Sequence, residues 1–264
     1  ELFLDTFLIN YLEKIKVKFV HKKISVFEDR NMDYSKLTFH PKFDIDEILP
    51  TDRFVISIDT SDGVGRDYFV ANIFKIEPFS LAKIRKSGAT IDELDFFRLR
   101  QIGLYHDNKT SIDEVMKILN ILFFDFFDVQ QIRIVLEMNF KGDLIIEKLK
   151  RHKEYSPEVL MHTKHSESAD TMMPGLKLQK KNKKFLVSEL KGAMKTRKII
   201  LNDTTTIEEG KNFGVDKNGN FKSQTGKDDI IMSCVNVTSF LHSAEMIECV
   251  EDIFDLMDRD KKLA

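Results

Sequence analysis

The chain has 264 residues, 42% of them hydrophobic and 32% charged, and a formal net charge of −2. That length supports one large domain or two small ones whose core needs no covalent or metal staple. No apolar run approaches the ~18 residues of a membrane span, and Cys234 and Cys249, the only cysteines, form no CxxC pair, which excludes a disulfide framework and a thiolate zinc site. A cytosolic setting is expected. The chain opens at Glu1 with no signal-peptide pattern and is expected to be part of a longer protein.

Charge is spread unevenly. Nine basic residues between 177 and 198 (Lys177, Lys180, Lys181, Lys183, Lys184, Lys191, Lys195, Arg197 and Lys198) stand against one acid, Glu189, giving +8, while seven acids lie between Glu245 and Asp260. A local field of this kind guides a polyanion better than the total charge does.

In chain order, residues 1–50 read as a helical lead (Leu2-Phe3, Phe7-Leu8, Tyr11-Leu12) followed by irregular polar sequence to Pro50, a linker or packing arm ahead of a main domain over 51–243. The run Phe54–Ile58 is rich in β-branched residues and delivers Asp59 to the lip of a sheet; the Gly63/Gly65 turn follows and a second strand covers 67–77, so Asp59 and Asp67 face each other across a hairpin. Residues 78–97 read as an insertion and 99–106 as a third strand. Ser111, with Glu114 three residues on, caps a helix running to about Phe124. Gln131–Glu137 is a buried strand ending in an acid, Gly142–Lys150 a helix, and Val159–Met161 a short strand. Strand, crossover helix and strand imply parallel pairing in an α/β layer.

The basic segment carries Phe185, Leu186, Leu190 and Met194 at helical spacing, so one face packs and the lysine face stays wet. A strand at 198–201 and a helix at 204–211 come next. Phe213–Phe221 reads as a hairpin in which Asn218-Gly219 supplies two positive-φ residues. Asp228 and Asp229 open an apolar helix to about His242, and 244–264 form an acidic C-terminal helix or tail.

Three separated segments therefore begin or end a core element with carboxylates: Asp59 with Asp67, Glu137, and Asp228-Asp229. Sites of α/β sheets gather at the carboxyl edge of the strands. Carboxylates converging there repel unless cations sit among them, the logic of a two-metal site for phosphodiester chemistry with Mg²⁺ or Mn²⁺. The plain alternative is a set of turn aspartates without a ligand. Other features are weaker: Asp59–Val70 lacks the glycine and glutamate of a calcium loop, Gly63-x-Gly65 is a turn before it is a phosphate cradle, and His162 and His165 have no partner ligands.

Taken in order, Asp59-Thr60-Ser61-Asp62-Gly63-Val64-Gly65-Arg66-Asp67-Tyr68, Val135-Leu136-Glu137-Met138-Asn139, Gly175-Leu176-Lys177 and Asp228-Asp229-Ile230-Ile231-Met232-Ser233 make residues 50–243 resemble the C-terminal nuclease domain of the large terminase subunit of tailed bacteriophages, especially of large contractile-tailed phages. The resemblance implies a ribonuclease-H-like mixed β-sheet flanked by helices, with an added β-hairpin. It also implies a two-metal-ion endonuclease that cuts double-stranded concatemer DNA during packaging. By position, Asp59, Glu137, Asp228 and Asp229 correspond to the catalytic, metal-binding acids and Asp67 to an accessory acid. Lys227 stands where some relatives have histidine. The basic residues 177–198 and Lys227 would hold DNA phosphates. The implied partners are the viral portal, the small terminase and the ATPase motor domain of the full-length chain, in the host cell cytoplasm and with no membrane. No GxxxxGK(S/T) occurs, so ATP hydrolysis by this chain alone is not expected. A docking module of the same fold with weak cleavage, or a Holliday-junction resolvase, are the competing readings.

Overall fold

The computed structural model describes residues 2–60, 69–78, 97–109, 111–138, 140–164 and 171–263. In chain order the elements are α1 (Thr6–Ile15), α2 (Ser25–Glu28), β1 (Leu37–Phe39), β2 (Phe54–Asp59), β3 (Phe69–Pro78), β4 (Phe97–Asp107), α3 (Ile112–Ile121), β5 (Ile132–Leu136), α4 (Phe140–Leu149), β6 (His162–Thr163), β7 (Met173–Pro174), α5 (Lys180–Lys195), β8 (Ile199–Ile200), α6 (Thr204–Asn212), β9 (Phe213–Val215), β10 (Phe221–Ser223), α7 (Asp229–Val237) and α8 (Ala244–Leu263). Among the described residues no single helix is long and apolar enough to cross a membrane.

The main sheet runs β1-β4-β3-β2-β5, with β8 also pairing β4. The β2–β3 and β3–β4 pairs are antiparallel and β2–β5 is parallel, in the register Val55↔Arg133 and Ile58↔Leu136. This is the mixed, ribonuclease-H-like sheet flanked by helices, and the added hairpin is β9–β10.

Alternation along the strands divides the core. Phe54, Ile56, Ile58, Ile132, Ile134 and Leu136 pack on one side with α3 and α4. Val55 and Val135 face the other side with α1, α5, α6, α7 and α8. Arg53, Ser57, Asp59, Arg133 and Glu137 share the parity of Val55 and Val135, so they stand on the α7–α8 side.

The Ser111 capping box forms as expected: its hydroxyl accepts from the Glu114 N–H and the Glu114 carboxylate accepts from the Ser111 N–H. Several expectations are corrected. The polar stretch before Pro50 holds α2 and β1, and β1 completes the sheet by pairing with Tyr105–Gly103 of β4. Val159–Met161 is not a strand: Pro157–Val159 is a 3₁₀ turn, and only Leu160 bridges to Ile134. The 213–221 hairpin has a five-residue loop in which Gly219 alone has positive φ, because the Asp216 carboxylate accepts from the N–H groups of Asn218 and Asn220 and leaves Asn218 out of the left-handed region. The Gly63/Gly65 turn and most of the 78–97 insertion lie outside the described residues.

Candidate active site

Asp59 ends β2, and Glu137 follows β5 directly, with its N–H donating to the Ile58 carbonyl at 3.1 Å. Parallel pairing thus sets the two carboxyl-bearing residues side by side at the carboxyl ends of adjacent strands. Glu137 is held from its other flank by a bridge to Leu176, where the Met138 N–H donates to the Leu176 carbonyl at 2.8 Å. Two glycines permit this crowding. A Cβ at Gly142 would run into the Glu137 carbonyl oxygen, and one at Gly175, where φ is +85°, would strike Met138.

Helix α7 brings the third group. Asp228 precedes it and Asp229 is its first residue. The helix is locked onto the sheet by a buried polar chain: Ser57 Oγ donates to the Ser233 carbonyl at 2.7 Å, and Asn72 Nδ2 donates to Ser233 Oγ at 2.6 Å and to the Ile230 carbonyl at 3.2 Å. Gln101 Nε2 then donates to Asn72 Oδ1 at 2.7 Å and to Thr206 Oγ1 at 2.8 Å. Donors and acceptors in a dry interior must be matched, so this chain fixes one seating of α7.

Electrostatics at the site follow from burial. Asp59 is 9% exposed. Burial, the charge of Glu137, a hydrogen bond between the two carboxyls and the charges of Asp229 and Asp228 together hold the Asp59 carboxyl well above its usual range. Glu209 on α6 accepts a 2.7 Å hydrogen bond from the Ile231 N–H at the start of α7; burial and the nearby Asp229 and Asp228 push its pKa up to about 8. Asn236, two turns along α7, donates to Glu137 Oε2 at 3.4 Å. Sequence reasoning missed Glu209 and Asn236. For Asn236 a signal existed, since it is a lone amide within the apolar run Ile230–Val237; for Glu209 none distinguishes it from Glu208.

The structure thus brings Asp59 and Glu137 into hydrogen-bonding contact and puts Asp228 and Asp229 within electrostatic reach. Among the described residues no three Asp, Glu, His or Cys side chains converge tightly enough to enclose one ion. Asp67 lies outside the described residues. The donor set nevertheless suits a hard divalent cation, because it is all oxygen and a cation between the carboxyls would offset the repulsion that raises Asp59.

The basic segment divides in two. Lys177, Lys181 and Lys184 are exposed, Lys183 is half-buried, and Lys183 and Lys184 line a cleft of about 260 Å³ with Gly219, Asn220 and Phe221. Toward the C-terminus, Lys195 and Lys191 lie 2.9 and 3.8 Å from Asp5, and Arg197 stacks over the Tyr11 ring at 5.2 Å. Lys198 and Lys227 are half-buried. Lys180 belongs to the first turn of α5.

No protein-family model matches the chain, and no curated protein sequence matches it. Solved structures do. The large terminase nuclease of thermophilic phage G20c covers 88% of this chain and 97% of its own at 16% identity with a TM-score of 0.51. The same nuclease with bound magnesium covers 88% and 96% at 17% identity and 0.51. The large terminase nuclease domain of Thermus phage P74-26 covers 87% and 92% at 16% identity and 0.50. At these identities the likeness is one of fold.

Proposed function

We propose that this chain is the nuclease domain of a viral large terminase, a metal-dependent endonuclease that cuts double-stranded concatemer DNA during genome packaging. The observation that carries the reading is the pairing of the buried Asp59 with the half-buried Glu137 at the carboxyl ends of β2 and β5, in a fold shared with terminase nucleases. Asp59 and Glu137 would hold a divalent cation, with Asp229 or Asp228 and Asp67 completing the shell. Bound Mg²⁺ or Mn²⁺, two ions in this reading, supplies Lewis acidity that activates water and stabilises the departing 3′ oxygen. The chain's own groups position that chemistry. Asn236 orients Glu137, and Glu209 ties the start of α7 to α6, which fixes Asp228 and Asp229. A cation bound there would offset the repulsion that raises the Asp59 carboxyl.

DNA would be held through phosphates by the exposed Lys177, Lys181 and Lys184 with Lys183, giving salt-sensitive binding with little base readout. Portal, small terminase and motor domain as partners, and the host cytoplasm as location, belong to the same proposal. The test is cleavage of supercoiled plasmid and linear duplex in Mg²⁺ or Mn²⁺: the protein nicks and linearises DNA, a chelator stops it, and Asp59→Ala is inactive while folded. Full cleavage by that variant overturns the assignment. Preference for a four-way junction over linear duplex reassigns it to resolution.

A further inference from the structure

Helical spacing predicts Phe185 on the packed face of α5 with Leu186 and Leu190, but the structure turns it outward. Phe185 is 60% exposed, while Leu186, Val187 and Leu190 are buried. Lys181, Lys184, Phe185 and Ser188 are all exposed and lie at i, i+3, i+4 and i+7, so they share one solvent-facing strip with an aromatic ring set among ammonium groups.

The cleft between this strip and the β9–β10 hairpin supplies a second ring. Phe221 of β10 lines it together with Lys183, Lys184, Gly219 and Asn220. Phe221 is half-buried and stacks on the fully buried Phe213 at 5.9 Å between centroids and 23° between planes; the Phe213 carbonyl in turn accepts from the Phe3 N–H at 2.9 Å. The Phe221 ring is therefore fixed to the core and yet borders open space. A Cβ added at Gly219, where φ is +75°, would come 3.9 Å from Lys184 Nζ, so that ammonium reaches across to the hairpin loop.

The positive charge here is not spent within the protein. Lys191 and Lys195, farther along α5, pair with Asp5, whereas Lys183 and Lys184 have no ion-pair partner among the described residues. No acid lines the cleft. Asp216 of the hairpin accepts from the Asn218 and Asn220 N–H groups and pairs with Lys222 at 3.3 Å, and Glu189 of α5 lies 3.3 Å from His242 Nε2. At about 260 Å³ the cleft falls below the ~300 Å³ at which small-molecule pockets begin, which suits one ring system.

We infer that this surface binds single-stranded DNA, with one base stacked on Phe221 in the cleft, another on the exposed Phe185, and Lys183 and Lys184 on the flanking phosphates. A ring stacks only on a base whose face is open, and a duplex covers those faces, so aromatic groups interleaved with lysines suit an unpaired strand. Lysines alone would serve a duplex. Leu176, which bridges Glu137, leads into α5 at Lys180, and β10 leads from Ser223 to Asp228, so the elements that carry the rings adjoin the carboxylate site along the chain. The choice of DNA rests on the nuclease reading; the stacking does not.

The test is fluorescence anisotropy of the intact protein in EDTA, which prevents metal-dependent cleavage. The probes are labelled oligothymidylate of about 15 nucleotides, an abasic strand of equal length and a duplex of equal length. The parent protein should bind oligothymidylate at least about five-fold more tightly than the abasic strand. Phe221→Leu and Phe185→Ser should each weaken oligothymidylate binding about five-fold and change duplex binding by less than about two-fold. Phe185→Ser alters a solvated side chain and keeps the test decisive if Phe221→Leu does not fold. No binding of oligothymidylate, equal affinity for it and the abasic strand, an affinity unaltered in Phe185→Ser, or equal losses on strand and duplex overturns the inference. A protein that meets these expectations yet cuts no DNA in Mg²⁺ or Mn²⁺ upholds the inference and overturns the nuclease reading alone.

Discussion

The parallel pair β2–β5 carries buried charge of opposite sign at its two ends, on one face and under neighbouring helices. At the carboxyl end Asp59 and Glu137 touch, and at the amino end Arg53 and Arg133 lie side by side. The same crowding has different outcomes because the chemistries differ. A carboxyl pressed against another can take up a proton, so the acid end answers crowding with a raised Asp59 pKa. A guanidinium has no such exit. One end therefore stores its repulsion as a raised pKa, and the other keeps its charge and depends on what surrounds it.

Removing the acid's charge breaks the comparison most sharply, because function and stability then move in opposite directions. Asp59→Asn is expected to lower plasmid cleavage by about a thousand-fold or more, since a central metal ligand is lost. Its metal-free thermal midpoint should equal or exceed that of the parent protein, because a buried repulsion has gone. Cleavage within ten-fold of the parent, or a midpoint several degrees lower, would remove the acid end from the catalytic reading.

The pH dependence is the next largest effect. Glu209 has an ordinary pKa of 4.5 and a folded value of about 8, and Asp59 moves the same way. A group whose folded pKa is raised binds its proton more tightly when folded, so its contribution is full below the unfolded pKa and is lost as pH rises through the folded one. Metal-free protein should therefore lose a few kcal/mol between about pH 4.5 and 8 in denaturant titrations. Glu209→Gln should flatten that slope, and saturating Mg²⁺ should recover most of the loss at pH 8. Stability that instead climbs toward pH 8 without metal would contradict the buried acid cluster.

How far these two ends could be read from the sequence follows from how each is encoded. Asp59, Glu137 and Asp228-Asp229 stand where long apolar runs stop or start, so the pattern that locates core strands and the α7 helix also locates the acids. The strand–helix–strand pattern implied parallel pairing but not the partner, since the strand before the intervening helix is β4 while β5 pairs with β2. The arginine end gave no such sign: Arg53 and Arg133 look like ordinary flanking charges until the register shows that both face α8. Edge strand β1 was hidden for a similar reason, since Leu37-Thr38-Phe39 becomes a strand only through its pairing with β4. Glu209 and the Asn72–Gln101 chain are legible only in three dimensions, because their partners lie 22 to 161 residues away.

A smaller effect tests the arginine end in isolation. Arg133→Met keeps much of the aliphatic volume and deletes a buried charge that has no ion-pair partner among the described residues. Exchanges of this type are neutral or stabilising by about 1–3 kcal/mol, and urea titration should show that gain. A loss of comparable size would mean that the guanidinium is satisfied where it stands.

The smallest expected change concerns the acid that already attends the arginines. Asp252 lies 3.5 Å from Arg53 Nε, but its side chain is 48% exposed while that of Arg53 is 6% exposed. Solvent screens the aspartate far more than the guanidinium, so the pair should be worth only about 0.5–1 kcal/mol. Asp252→Asn is accordingly expected to lower the urea midpoint by that amount at low salt and by less in 1 M sodium chloride. In the Arg133→Met background the cost should remain, because Asp252 answers to Arg53 and not to Arg133. If the double variant instead loses nothing, the two guanidiniums share one counter-charge, and the amino end of β2–β5 is a coupled pair like the carboxyl end.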